Sequence, residues 1–171
     1  MSAQPAVTLE LAVEAGEWGD PDGIEALAVT ALDAAVQDLV RCEAQPFPVD
    51  PPEVSLVLAD DAMMTDINGQ WRNQPKPTNV LSFPAFPLQP GGKPGPMLGD
   101  IILARETIER EAADLGKPVN EHITHLIVHG FLHLFGYDHI ENADAEKMEA
   151  IETRILTSLN LSDPYGDTEP V

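Results

Sequence analysis

Apolar positions recur every second residue along AVTLELAV (6–13), where Val7, Leu9, Leu11 and Val13 face polar or smaller neighbours with the period of a half-buried strand. Behind a start signal at Asp20 to Gly23 the period lengthens to that of a helix, with Ile24, Leu27, Ala31, Ala35 and Leu39 recurring through GIEALAVTALDAAVQDLV. EVSLVLA (53–59) predicts a second strand, which runs into Asp60, an N-cap for a helix through Trp71. NVLSF (79–83) predicts a short strand, and PAFPLQPGGKPGP (84–96), crowded with Pro and Gly, an irregular surface loop. GDIILA (99–104) is a third clear strand, leading into a helix over about 105–115 that Gly116 and Pro118 end.

From Asn120 as N-cap, with Glu121 in the first turn, EHITHLIVHGFLHLF predicts a largely apolar helix that stops at Gly136 and forms the buried centre of the fold. ADAEKMEAIETRILTSL (143–159) predicts a last amphipathic helix with a core stripe of Met148, Ile151, Ile155 and Leu159. Strands and helices interleave without a regular βαβ rhythm, and no segment repeats. The pattern therefore predicts an α+β fold with a mixed sheet. At 171 residues and 43% apolar, the chain suits one domain over 1–160, followed by a polar, acidic tail over 161–171 that is expected to fray.

Composition narrows the function classes. The first forty residues contain no Lys or Arg and no apolar stretch approaches bilayer length, so neither a signal peptide nor a membrane span is expected, and a cytoplasmic protein is. Cys42 is the only cysteine, which excludes an internal disulfide and a thiolate-rich metal cluster; a lone buried thiol is predicted. The net charge of −20 opposes a polyanionic partner, but it is unevenly spread. Six of the nine Lys and Arg lie between residues 72 and 117 against five acids, a net of +1, while the remainder carries three cations against 24 acids, a net of −21. A local surface that is not acidic can still grip a polyanion, with modest and salt-sensitive affinity.

The chemistry concentrates in five histidines within eighteen residues. His125, His129 and His133 recur every four residues along one helical face, so adjacent pairs are separated by about 6 Å of axial rise and the outer pair by about 12 Å. Two neighbours can share an ion; three cannot. A third ligand must return from elsewhere, and Gly136 supplies the left-handed turn that folds YDH back so that His139 closes the triangle. His129, His133 and His139 are thus the candidate ligands of one ion with an open position for water, the donor set of a catalytic rather than a structural zinc site. Three imidazoles favour Zn²⁺ over iron or magnesium; nickel or copper would fit the same donors in vitro. His122 is expected on the surface of the first turn, and His125 in packing or behind the ligands.

The spacing H-x-x-x-H-x-x-G-x-x-H is also that of the metzincin proteases, whose catalytic glutamate would fall on Gly130. Glycine can neither take a proton from a metal-bound water nor return it, so peptide hydrolysis by that route is disfavoured. A mid-helix glycine costs about 1 kcal/mol relative to alanine, which implies that the backbone must come close there or that the space must stay empty. A phosphodiester is less demanding, because RNA carries its own nucleophile in the 2′-hydroxyl.

Three stretches, INGQWRNQPKPTNVLSFP (67–84), LGDIILA (98–104) and HGFLHLFGYDHIENADAEKMEAIE (129–152), closely resemble the YbeY family of bacterial rRNA maturation endoribonucleases. The resemblance covers the chain from about residue 60 to 159. It implies a zincin-like α+β domain, one zinc on His129, His133 and His139, cleavage of single-stranded RNA, and a place in 3′-end maturation of small-subunit 16S rRNA and in ribosome quality control. It also implies a functional arginine at Arg72, which agrees with the bidentate grip of a guanidinium on phosphate in the one section that is not acidic. Asp138 is the first candidate for the general base or for orienting a ligand imidazole, Asp100 for supporting a ligand, and Lys76 for a further phosphate contact. Trp71 is the candidate for base stacking, with buried packing as its competing role. Two other classes fit the pattern. One is a metallohydrolase of another substrate, with Asp138 as base; the other is a non-catalytic assembly factor with a structural zinc, docking by its acidic surface on ribosomal proteins.

Overall fold

In the computed structural model, which describes residues 7–161, the local signals and the elements agree closely. The strand β1 (Thr8–Val13) is followed by α1 (Pro21–Glu43), which opens on Asp20 accepting a hydrogen bond from Asp22 N and has Pro21 in its first turn. Next come β2 (Glu53–Ala59) and α2 (Asp61–Arg72), where Asp60 caps the helix by accepting from Met63 N at 2.8 Å. Then follow β3 (Val80–Pro84), β4 (Met97–Ala104), α3 (Arg105–Leu115), α4 (Val119–Leu134) and α5 (Asn142–Ser158). Some boundaries differ by one or two residues. The strand expected from Gly99 begins at Met97. Asn120 is not an N-cap: the cap position is two residues earlier, at Pro118, α4 starts at Val119, and the Asn120 carbonyl accepts from Thr124 Oγ1 inside the helix. The expected acidic tail lies, apart from Leu161, outside the described residues.

The sheet order is β1-β2-β4-β3, with β1, β2 and β4 parallel and β3 antiparallel at the edge. It is the mixed sheet of an α+β fold, with one βαβ unit, β1-α1-β2, and no repetition of it. Side chains alternate between two faces. Val54, Leu56, Leu58, Ile101 and Leu103 join the large core beneath α1, α4 and α5, whereas Ala59, Ile102, Ala104 and Leu81 meet Met64 of α2 on the other side. Helix α4 is buried nearly all round, as its apolar run predicts. Cys42, predicted buried, is exposed in the last turn of α1, beyond Leu39, the last buried residue of that helix. No described helix is long and apolar enough to cross a membrane.

Polar ties orient the outer helices. Arg154 of α5 donates through Nε and Nη2 to both carboxylate oxygens of Asp38, at 3.1 and 2.7 Å, and reaches Glu43 as well, pinning α5 to α1. Asp61, the first residue of α2, acts as the missing cap of α3, whose own N-cap position is Ala104. Its Oδ1 accepts from Thr107 N and Oγ1 at 3.1 and 2.7 Å and its Oδ2 from Arg110, while Glu106 accepts from Asp61 N in return. Partial burial acts to raise the Asp61 carboxyl, but the hydrogen bonds from Thr107 and Arg110 outweigh it and hold it below the ordinary range.

A lowered carboxyl contributes stability that is full above its unfolded value, near pH 3.9, and is lost as pH falls through the folded value. Asp61→Asn is therefore expected to destabilise the protein by about 1 kcal/mol at pH 7. In urea denaturation the difference from the parent should shrink steadily below about pH 4; a difference independent of pH would contradict the cap.

Candidate metal centre

The site is built from α4 and the turn that ends it. His129 and His133 stand one helical turn apart, and their Nε2 atoms face each other at 3.1 Å. Two nitrogens bound at 2.0–2.1 Å to one tetrahedral ion would lie about 3.4 Å apart, so the pair is already near that spacing. Helix α4 then stops in a Schellman motif: Gly136 N donates to His133 O at 3.0 Å and Tyr137 N to Leu132 O at 3.2 Å, with Gly136 at φ 95°. A Cβ at Gly136 would also overlap the Leu88 carbonyl of the loop packed on the turn. Tyr137 anchors the turn in the core, and that burial pushes its hydroxyl up to about 12. The chain beyond it brings His139 back, with ring centroids 5.6 Å from His129 and 5.3 Å from His133. The three imidazoles form a group whose donor atoms lie within 4.8 Å of one another, and it can hold a metal ion. Burial, with His129 and His139 adding to it, pushes His133 down to about 4, so its imidazole is neutral at pH 7 and suited to ligation.

Gly130 has a packing reason. A Cβ there would stand 3.0 Å from Ile101 Cγ2 and from Ser82 Oγ, tighter than ordinary contact, so a bare backbone lets α4 close onto β3 and β4. The Ser82 hydroxyl donates to the Gly130 carbonyl at 3.2 Å across that contact. A glutamate at this position would run into the sheet, and nothing at residue 130 can move a proton.

Behind the histidines lies a residue that the sequence reading missed. Glu152 of α5 is 0% exposed, and its Oε1 accepts from His125 Nε2 and from His129 Nδ1, both at 2.9 Å. Burial alone would raise this carboxyl; the hydrogen bonds from His125 and His129 reverse the effect and hold it at about 2. With Nδ1–H committed to Glu152, a neutral His129 presents Nε2 as a lone pair toward His133, the arrangement by which a carboxylate orients a ligating imidazole. His125, His129 and Glu152 also lie close enough to form a second metal-competent group, but they bond directly to one another, and we read the trio as the support of His129. A signal was present: Glu152 interrupts the stripe of Met148, Ile151, Ile155 and Leu156, where an apolar residue belongs.

The histidines open into a cleft of about 820 Å³ whose lining includes Arg72, Lys76, Ser82, His129, His133, Asp138 and His139. Arg72, in the last turn of α2, donates from Nη2 to the Ser82 carbonyl at 3.4 Å, and its guanidinium stands 5.7 Å from the centroid of the Phe83 ring. Asp138 lines the cleft and accepts from Ile140 N at 3.2 Å through Oδ1, forming the turn around His139. Other expectations change. Asp100 is exposed on β4 and is not part of the cleft lining, since its strand position points it to the α2 face. His122 is buried rather than a surface residue. It bonds Glu111 at 2.8 Å, and the same carboxylate oxygen accepts from Asn79, which holds the start of β3. Trp71 is 72% exposed rather than packed.

If Glu152 orients His129, Glu152→Gln should leave the fold intact by circular dichroism and raise the zinc dissociation constant by roughly 10- to 100-fold in competition with a chelator. The amide offers one acceptor where two imidazole N–H groups converge. An unchanged zinc affinity would leave Glu152 with a packing role alone.

The comparisons with known proteins agree with this architecture. The family model described as Endoribonuclease YbeY matches residues 21–160. A protein named Endoribonuclease YbeY from Sinorhizobium fredii is 62% identical over 162 residues, covering 95% of this chain and 94% of its own length. One of the same name from Agrobacterium fabrum is 57% identical over 166 residues, covering 97% and 99%. The solution structure of TM1509 from Thermotoga maritima aligns over 95% of this chain and 98% of its own with a TM-score of 0.54 at 21% identity, a likeness of fold. On the family model and relatives matched over nearly their whole length, the chain belongs to the YbeY endoribonuclease family.

Proposed function

We propose that this protein is a zinc-dependent endoribonuclease that cuts single-stranded RNA in the cytoplasm, acting in 3′-end maturation of small-subunit 16S rRNA and in ribosome quality control. The observation that carries the reading is one cleft lined both by His129, His133 and His139 and by the cations Arg72 and Lys76. A three-imidazole group supplies no base and no phosphate grip by itself; the adjacent guanidinium gives the cleft an affinity for a phosphodiester that a peptide site would not need.

The three histidines would hold the ion, and bound zinc would supply Lewis acidity toward the phosphoryl oxygens. Arg72, steadied by the Ser82 carbonyl and the Phe83 ring, offers parallel N–H donors to the nonbridging oxygens, where charge grows as the bond to phosphorus forms. Lys76 adds a compact second charge at the cleft wall. Asp138 is assigned the proton: Oδ1 is engaged by Ile140 N, and Oδ2 accepts the proton of the attacking hydroxyl or water. Glu152 keeps His129 in the tautomer that leaves Nε2 available. Outside residues 72–117 the chain carries a net of −21, a surface suited to docking on basic ribosomal proteins.

His129→Ala is expected to lose stoichiometric zinc and cleavage of a defined single-stranded RNA together. Arg72→Ala should keep zinc and lose roughly 10²- to 10³-fold in kcat. Cleavage by rigorously metal-free His129→Ala protein would overturn the metalloenzyme reading. Undiminished cleavage by Arg72→Ala would remove the arginine from the mechanism.

A further inference from the structure

Helix α2 carries an apolar stripe at four-residue spacing, Met63, Ile67 and Trp71, on the side that faces the sheet. Met63 and Ile67 pack on the smaller core formed with Ile102 and Leu81, but β3 is the edge strand, and at the third position the sheet has run out. The indole of Trp71 is 72% exposed, with the half-buried ring of Phe83 beside it at a centroid distance of 6.2 Å and an interplanar angle of 59°. Arg72, the next residue and about 100° further round the helix, turns instead into the cleft and lies over the same Phe83 ring. An isolated exposed apolar residue needs no explanation. Here, however, the exposed indole is followed directly in sequence by the cleft-lining Arg72, and the Phe83 ring lies beside both.

We propose that the exposed face of Trp71, with the Phe83 ring propping the indole from beside, forms a stacking platform for the nucleobase of the nucleotide next to the phosphate held by Arg72, so that α2 grips backbone and base with consecutive residues. The proposal rests on the endoribonuclease reading above. Charge fixes the polarity of the grip. Asp100 is paired with Phe83 across β3 and β4, and so shares its face of the sheet; a phosphate placed there would be repelled, whereas a neutral base would not. The phosphate is thereby directed to the Arg72 side and the base to the indole. Stacking on an aromatic face is tolerant of base identity, which fits a nuclease selective for single strands rather than for a sequence, because only unpaired bases offer a free face.

The test uses zinc-loaded, full-length protein and a short uridine-rich RNA, with one base at a time replaced by an abasic position. Trp18, buried at 4% exposure, is the other tryptophan, and Trp18→Phe isolates the Trp71 signal. RNA should quench Trp71 fluorescence, read by stopped flow ahead of cleavage. Trp71→Ala should raise KM about tenfold with kcat and zinc content little changed, and Trp71→Tyr should restore most of the loss. Removing one particular base should cost the parent about tenfold and Trp71→Ala almost nothing. Cleavage with an unaltered KM in Trp71→Ala and no quenching would overturn the platform and leave the nuclease reading standing. Parent protein that neither binds nor cleaves RNA would bring down that reading itself. Quenching by an extended peptide but not by RNA would replace the platform with a protein-docking surface.

Discussion

The close approach of α4 to β3 and β4 at Gly130 is the contact on which the candidate site depends. It is small: a missing side chain on the helix, a methyl of Ile101 and the hydroxyl of Ser82 on the strands. Ser82 works on both of its sides, since its hydroxyl bonds the Gly130 carbonyl of the histidine helix while its own carbonyl accepts from Arg72. A single residue of the edge strand therefore sets the distance between the imidazoles and the guanidinium. An added side chain at residue 130 would push the helix away from the strand and widen that distance. The same glycine that excludes a protease-like base thus brings a phosphate-binding group within reach.

A second constraint acts from the opposite side. Three imidazoles can serve as donors only if their lone pairs point inward, and imidazole can present either nitrogen. For His129 the choice is made by Glu152, buried, ionised and shared with His125. A buried carboxylate is costly unless it is hydrogen-bonded, and α5 is held in the position that meets this need by the ion pairs of Arg154 with Asp38 and Glu43 on α1. The surface network and the interior one are in this sense parts of one support.

The site is also asymmetric in its rigidity. His129 and His133 sit on a helix buried nearly all round, while His139 is exposed on a turn whose fixed points are the Schellman hydrogen bonds, the Tyr137 anchor and the loop residues over Gly136. Two preset donors and one on a turn leave one side of the site facing the cleft.

Features that depend on short range were legible in the chain alone. Helical period and four-residue spacing place His129 beside His133, and a glycine three residues later returns His139, because backbone geometry over a dozen residues needs no knowledge of the rest of the chain. The strands, the helices and the Asp60 cap were legible for the same reason. Contacts across long separations were not. Glu152 lies 23 residues from His129, Ser82 lies 48 from Gly130, and His122 is covered by Glu111 of the preceding helix; no local periodicity reports such pairings. The exposure of Trp71 and of Cys42 was decided likewise by where the sheet ends and how the helices meet. Spacing along the chain determined which imidazoles can converge; only the packing of distant segments decided which nitrogen each presents and which cation stands opposite.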